Sequence, residues 1–170
     1  RIFGNNSIPG IDVTSGSLGH GVGIGAGMAL AARARGEDTR IFVVISEGEL
    51  YEGSTWEGLL FAHHHKLDNL KIIIDVNDLI ILGATDDCLK LNPIKDKINA
   101  LGIDTIEVNG HDYGELSTAF KINEDKPMLT CIVAQTVKGK GVSFMENQNN
   151  WHYYNSMTED QIELARKELT

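Results

Sequence analysis

Apolar residues fall along this chain in two rhythms. Short unbroken runs, Arg40–Ile45 and Lys71–Val76, read as buried strands, and Thr105–Val108 and Met128–Ala134 read as two more. Between them lie stretches with helical spacing: Ser17 to about Arg35, stopped by Gly36, then about Ser54–Lys66, Ile94–Leu101 and about Tyr113–Ile122. A final helix to Leu169 is opened by the capping-box pair Thr158 and Gln161. Residues 77–93 read as irregular loop ending at Pro93. Strand and helix alternate throughout. That predicts an α/β fold, a mostly parallel sheet with helices on both faces, in one domain spanning 1–170. The chain opens on Arg1-Ile2-Phe3-Gly4 without a Met, so part of an N-terminal segment is expected to be missing.

The first predicted helix is crowded with Gly19, Gly21, Gly23, Gly25, Ala26 and Gly27. Each glycine costs a helix roughly 1 kcal/mol relative to alanine. Close backbone approach to a neighbouring helix or ligand is the expected compensation.

Candidate chemistry follows the first two strands. Ser46-Glu47-Gly48-Glu49 comes directly after one and Asn77-Asp78 after the next. A βαβ crossover returns the chain parallel to its start and sets such ends side by side. Ligands of open parallel sheets bind at those carboxyl ends. A carboxylate (Glu47) and an amide oxygen (Asn77) converging there suit Mg²⁺ or Ca²⁺ holding a diphosphate. Gly48 offers close backbone approach, and the helix beginning near Ser54 turns its N-terminal dipole towards the same region.

Charge narrows the partners. The chain carries 15 Lys+Arg against 24 Asp+Glu, net −9, which disfavours nucleic acid and anionic membrane. No apolar run approaches the roughly 20 residues of a membrane span. Cys88 and Cys131 form no CxxC, which fits free thiols in a reducing cytosol and a cytoplasmic protein. Three other motifs read as ordinary structure. His63-His64-His65 point in different directions on a helix and are surface or packing residues. Gly21-x-Gly23-x-x-Ala26 lacks a leading strand, so it is a packing helix and not a dinucleotide site. Lys138-Gly139-Lys140-Gly141 is not a Walker loop and reads as a flexible loop near the site.

Several longer motifs carry a family resemblance from about Ile8 to Trp151. They are Ser15-Gly16-Ser17-Leu18-Gly19-His20-Gly21, Lys66-Leu67-Asp68-Asn69-Leu70, Asn109-Gly110-His111-Asp112 and Thr136-Val137-Lys138-Gly139-Lys140-Gly141-Val142-Ser143-Phe144-Met145-Glu146-Asn147. On these the chain resembles the transketolase family, in particular the N-terminal subunit (PP domain) of a split transketolase. The resemblance implies thiamine diphosphate anchored through Mg²⁺ or Ca²⁺, for two-carbon ketol transfer between sugar phosphates. It implies Glu47, Asn77 and the Leu79 carbonyl as metal ligands, and Gly48 and Glu49 against the diphosphate. Leu18 and Ile81 would lie near the cofactor rings and His152 near the diphosphate. Glu52 and Glu57 match family glutamates that couple paired active sites across an interface. The activating glutamate of the family lies on a separate Pyr domain, which 170 residues do not contain. A Pyr-domain partner subunit, in a dimer of heterodimers, is therefore expected.

The chain departs from the family at several loop positions. Ser46 and Glu47 stand where the signature has Gly and Asp, and the extra methylene moves the carboxylate by about 1.5 Å. Asp78, Leu82 and Tyr153 replace a Gly or Asn, an Asp and a Gly, and the family's early Gly-His-Pro is not recognisable. These departures keep two further readings open: a cofactor-free scaffold that retained the fold, and a thiamine enzyme for an unusual sugar.

Overall fold

A four-stranded parallel sheet carries the fold in this computed structural model, which describes residues 8–122, 128–153 and 156–170. The opening Arg1-Ile2-Phe3-Gly4 lies outside the described residues. Helix α1 (Gly21–Ala34) precedes β1 (Ile41–Ser46), and α2 (Gly53–His64) connects it to β2 (Leu70–Val76). A small antiparallel hairpin follows, β3 (Leu79–Ile80) and β4 (Gly83–Ala84), then short helices α3 (Thr85–Cys88) and α4 (Ile94–Asn99). The chain continues as β5 (Asp104–Asn109), α5 (Tyr113–Lys121), β6 (Thr130–Gln135) and α6 (Glu159–Glu168). Sheet order is β1-β2-β6-β5, every pairing parallel.

Alternation along β2 divides the core between two faces. Ile72 and Ile74 join Val22, Leu59, Ile98 and Val133 in the larger cluster beneath α1, α2 and α4. Ile73 points the other way and packs with Ile132, Ala134 and Ala119 of α5. Helices thus cover both faces, as the pattern predicts. At the β1 edge the α5 face is thinly covered. Val44 is 71% exposed, and Phe42, 48% exposed, meets the Phe120 ring edge-on at 6.0 Å.

Two local expectations shift. The first helix begins at Gly21 and not after Ser17, because Gly19 sits at φ +79°, outside the right-handed helical region. The span 77–93, read as loop, contains the hairpin and the short helix α3. The glycine crowding of α1 finds its reason at Gly25, where a Cβ would come 2.2 Å from Val43 Cγ2. Close seating of the helix on β1 is the compensation, though Gly23 and Gly27 face open space. No helix among the described residues is long and apolar enough to cross a membrane.

Candidate functional site at the carboxyl ends of the strands

The β1–β2 register aligns Ser46 with Asp75, so Glu47 and Asn77 leave the sheet as neighbours. Glu47 opens a single 3-10 turn, residues 47–51, and is only 2% exposed. Its Oε1 accepts the backbone N–H groups of Asn77 at 3.0 Å and Leu79 at 3.1 Å. The same Leu79 N–H lies 3.2 Å from Asn77 Oδ1. Two side-chain oxygens therefore gather around one donor. Burial pushes the Glu47 carboxyl above the usual carboxylate range, the two N–H bonds pull it back, and the charge of Asp78 adds to the rise. Asp78 itself adopts φ +60°, a left-handed conformation that Gly and Asn enter readily and Asp tolerates.

This donor set fits a hard divalent cation. A buried carboxylate beside a second negative charge gains most from a compact positive ion, and carboxylate, amide and peptide oxygens are its preferred ligands. No cluster of three His, Cys, Asp or Glu exists among the described residues, so such an ion would depend on the Asn77 amide, the Leu79 carbonyl and oxygens of its ligand.

Glu49, expected against the diphosphate, is engaged as a tie. Its Oε1 accepts the Gly19 N–H at 3.1 Å and its Oε2 accepts the Ser46 N–H at 3.4 Å. Ser54 Oγ donates to the Gly19 carbonyl at 2.9 Å, and a Cβ on Gly19 would lie 2.5 Å from that hydroxyl. The loop before α1 is thereby cinched to the 3-10 turn, leaving Leu18 51% exposed. Sequence reading missed this tie, although Ser46 and Glu49 have capping-box spacing. Gly48 is half-buried beside Ile80 of the hairpin.

The remaining candidates come from the hairpin and from the segment after β6. Ile81 is exposed at the hairpin tip. The segment 136–153 leaves β6 at the same sheet end: the Thr136 N–H donates to the Val76 carbonyl at 2.8 Å, and its hydroxyl to Asp75 Oδ1. His111 Nε2 accepts the Val137 N–H at 2.7 Å. Farther on, the N–H and hydroxyl of Ser143 donate to the Glu168 carboxylate of α6 at 2.7 and 2.6 Å. The segment ends in a 3-10 turn, Asn149–Trp151, followed by the exposed His152. Partial burial and the nearby Lys138 charge hold the His152 ring below the ordinary histidine range, so it is neutral at pH 7. Asn149 Nδ2 donates to the Ile81 carbonyl at 3.0 Å, joining this turn to the hairpin.

Glu52 borders Gly19, where a Cβ would lie 2.8 Å from the Glu52 Cβ, and Glu57 stands farther along α2. Both are exposed, and Glu57 lines an open groove between α1 and α2 with His20, Ile24 and Phe61. The histidine triplet is packing: the His63 ring lies where a Gly102 Cβ would need to be, and His65 stacks obliquely on Phe61 at 4.3 Å. Both cysteines are free, Cys131 buried with its thiol pushed up to about 12 by desolvation and Cys88 exposed.

Known proteins share this fold. Residues 4–170 match the family model described as transketolase, thiamine diphosphate binding domain. The chain is 38% identical over 161 residues to an apulose-4-phosphate transketolase subunit of Actinobacillus succinogenes, covering 95% of this chain. It is 39% identical over 166 residues to the protein of the same name from Phocaeicola vulgatus, covering 96% of this chain. In both cases it spans 58% of the relative's own length. Among solved structures, the transketolase of Campylobacter jejuni superposes with a TM-score of 0.86 at 29% identity, covering 94% of this chain and 26% of that one. By the family match over nearly its whole length and by these relatives, the chain belongs to the transketolase family, as a member of its thiamine diphosphate binding domain.

Proposed function

We propose that this chain is the thiamine-diphosphate-anchoring subunit of a split transketolase, a transferase that moves a two-carbon ketol unit between sugar phosphates. The observation that carries the reading is the convergence of Glu47 and Asn77 oxygens at adjacent strand ends, on a buried carboxylate whose strongest charged neighbour is negative. Glu47, Asn77 and the Leu79 carbonyl would hold Mg²⁺ or Ca²⁺, and the cation would hold the diphosphate. Gly48 lets the backbone approach a phosphate, while Leu18 and Ile81 present exposed apolar surface to the cofactor rings. When bound, thiamine diphosphate supplies the carbanion chemistry of the transfer. His152, neutral at pH 7, can hold a hydrogen bond or a proton at the mouth of the site. Glu52 and Glu57, exposed here, are assigned to the contact with the partner.

Both relatives are named as one subunit of their transketolases, which supports a two-chain enzyme. The partner is proposed to be a Pyr-domain subunit bringing the activating glutamate. Two copies of each chain would form a cytoplasmic dimer of heterodimers. Isolated, this chain should bind cofactor weakly and turn over no sugar phosphate. A second reading, a scaffold without cofactor, draws on the backbone bonds that already occupy Glu47 Oε1. Calorimetry with thiamine diphosphate and Mg²⁺ or Ca²⁺, in the presence of the partner chain, separates the two. Saturable, metal-dependent heat is expected. No heat at millimolar cofactor would leave the scaffold.

A further inference from the structure

One amide bridges the two segments that frame the site. Asn149 donates from Nδ2 to the Ile81 carbonyl at 3.0 Å, across 68 residues of sequence. Its own backbone carbonyl accepts the N–H of His152 at 3.0 Å. Ile81 lies at the turn of the hairpin whose first residue, Leu79, donates to Glu47 Oε1 at 3.1 Å. A continuous path therefore runs from Glu47 through the hairpin and Asn149 to His152.

We propose that Asn149 is a positioning residue, which holds the turn that carries His152 against the β3–β4 hairpin. The carbonyl of Ile81 can only accept, so the amide nitrogen must face it. That orientation leaves Asn149 Oδ1 buried and without a donor among the described residues. An unmet buried acceptor is unfavourable, and a leucine of similar size would avoid it. The amide is therefore kept for its donor. Other bonds brace the turn without reaching the hairpin: Trp151 Nε1 donates to the Phe144 carbonyl at 2.9 Å, and the two rings lie 5.3 Å apart. Loss of the amide should let an intact turn drift away from the hairpin. The catalytic meaning of this bridge rests on the functional reading above, but its geometry does not.

The test uses the full chain without cofactor, comparing wild type with Asn149→Leu, and with Asn149→Ala as a second, smaller replacement. His152 ring signals are followed by NMR against pH, and the His152 amide by hydrogen exchange. The ring titration should rise towards the ordinary histidine value as the ring gains solvent and moves relative to Lys138. Amide exchange at His152 should quicken about tenfold, with the melting temperature little changed. In the assembled enzyme, kcat should fall about tenfold. A folded variant whose His152 titration and exchange match wild type overturns the proposal. Failure of the wild-type assembly to bind thiamine diphosphate would sink the functional reading instead, and would leave the His152 titration result standing.

Discussion

At Glu47 one side chain is asked to do two things. Its Oε1 closes the strand ends together through Asn77 and Leu79, and its charge is available to a cation. Glu47→Gln keeps the size and discards the charge. It should weaken metal-dependent thiamine diphosphate binding on the order of 100-fold by calorimetry with the partner present, while chemical denaturation moves little. Glu47→Asp keeps the charge and shortens the reach. It should cost about 1–3 kcal/mol in the same denaturation experiment, because a buried N–H loses its charged acceptor. Ser46, the other departure from the family signature, holds φ −85° and ψ 159°, which any residue adopts. Ser46→Gly should therefore bring no relief of backbone strain. The position of Glu47 and Asn77 at neighbouring strand ends was legible in the sequence, because two apolar runs joined by one helix leave little choice of topology. The bonds that Glu47 makes to the backbone were not, since they depend on how the chain turns after β2. Glu49 is a mixed case. The Ser46 half of its tie was written in the Ser46–Glu49 spacing, while the bond to Gly19, thirty residues away, depends on how the loop before α1 folds back.

Among the elements, α1 and α6 show how packing and charge position the loops. Gly25 lets α1 rest on Val43, so Gly25→Ala should destabilise the chain by about 1–3 kcal/mol in urea unfolding, through overpacking. The α6 clasp is electrostatic. Two hydrogen bonds from Ser143 hold the Glu168 carboxyl below its usual range. A depressed acid favours the folded, ionised form, so the clasp is intact above the ordinary glutamate range and is lost as pH falls through the lower folded value. The protection of the Ser143 amide, measured against its intrinsic exchange rate, should fall as pH drops below the ordinary glutamate range, and Glu168→Gln should flatten that dependence. Four strands and the five longer helical segments were predicted from periodicity. The β3–β4 hairpin was not, since two-residue strands are too short for any alternation to show. The start of α1 was misplaced for a different reason. A single left-handed glycine ends the helical path, and a run of small residues does not reveal which of them turns.

On the scale of the whole molecule, the sheet gathers distant sequence at one end. Glu47, Asn77, Gly110 and Thr136 all follow strand termini, and backbone bonds from Gly110 to Gln135 and from Thr136 to Val76 extend the ladder beyond the strands. The site is assembled by topology, and the loops only refine it. The other end of this logic is β1, one of the two border strands of the described sheet, with Phe42 and Val44 open to solvent. Strands at a border offer unpaired peptide groups to any similar strand, and apolar side chains make that offer adhesive. Prepared by itself, the chain should therefore cluster as its concentration rises, visible in light scattering. Val44→Lys should keep it dispersed, so the success of any solution experiment on this protein hangs on how two side chains at that border are kept from one another.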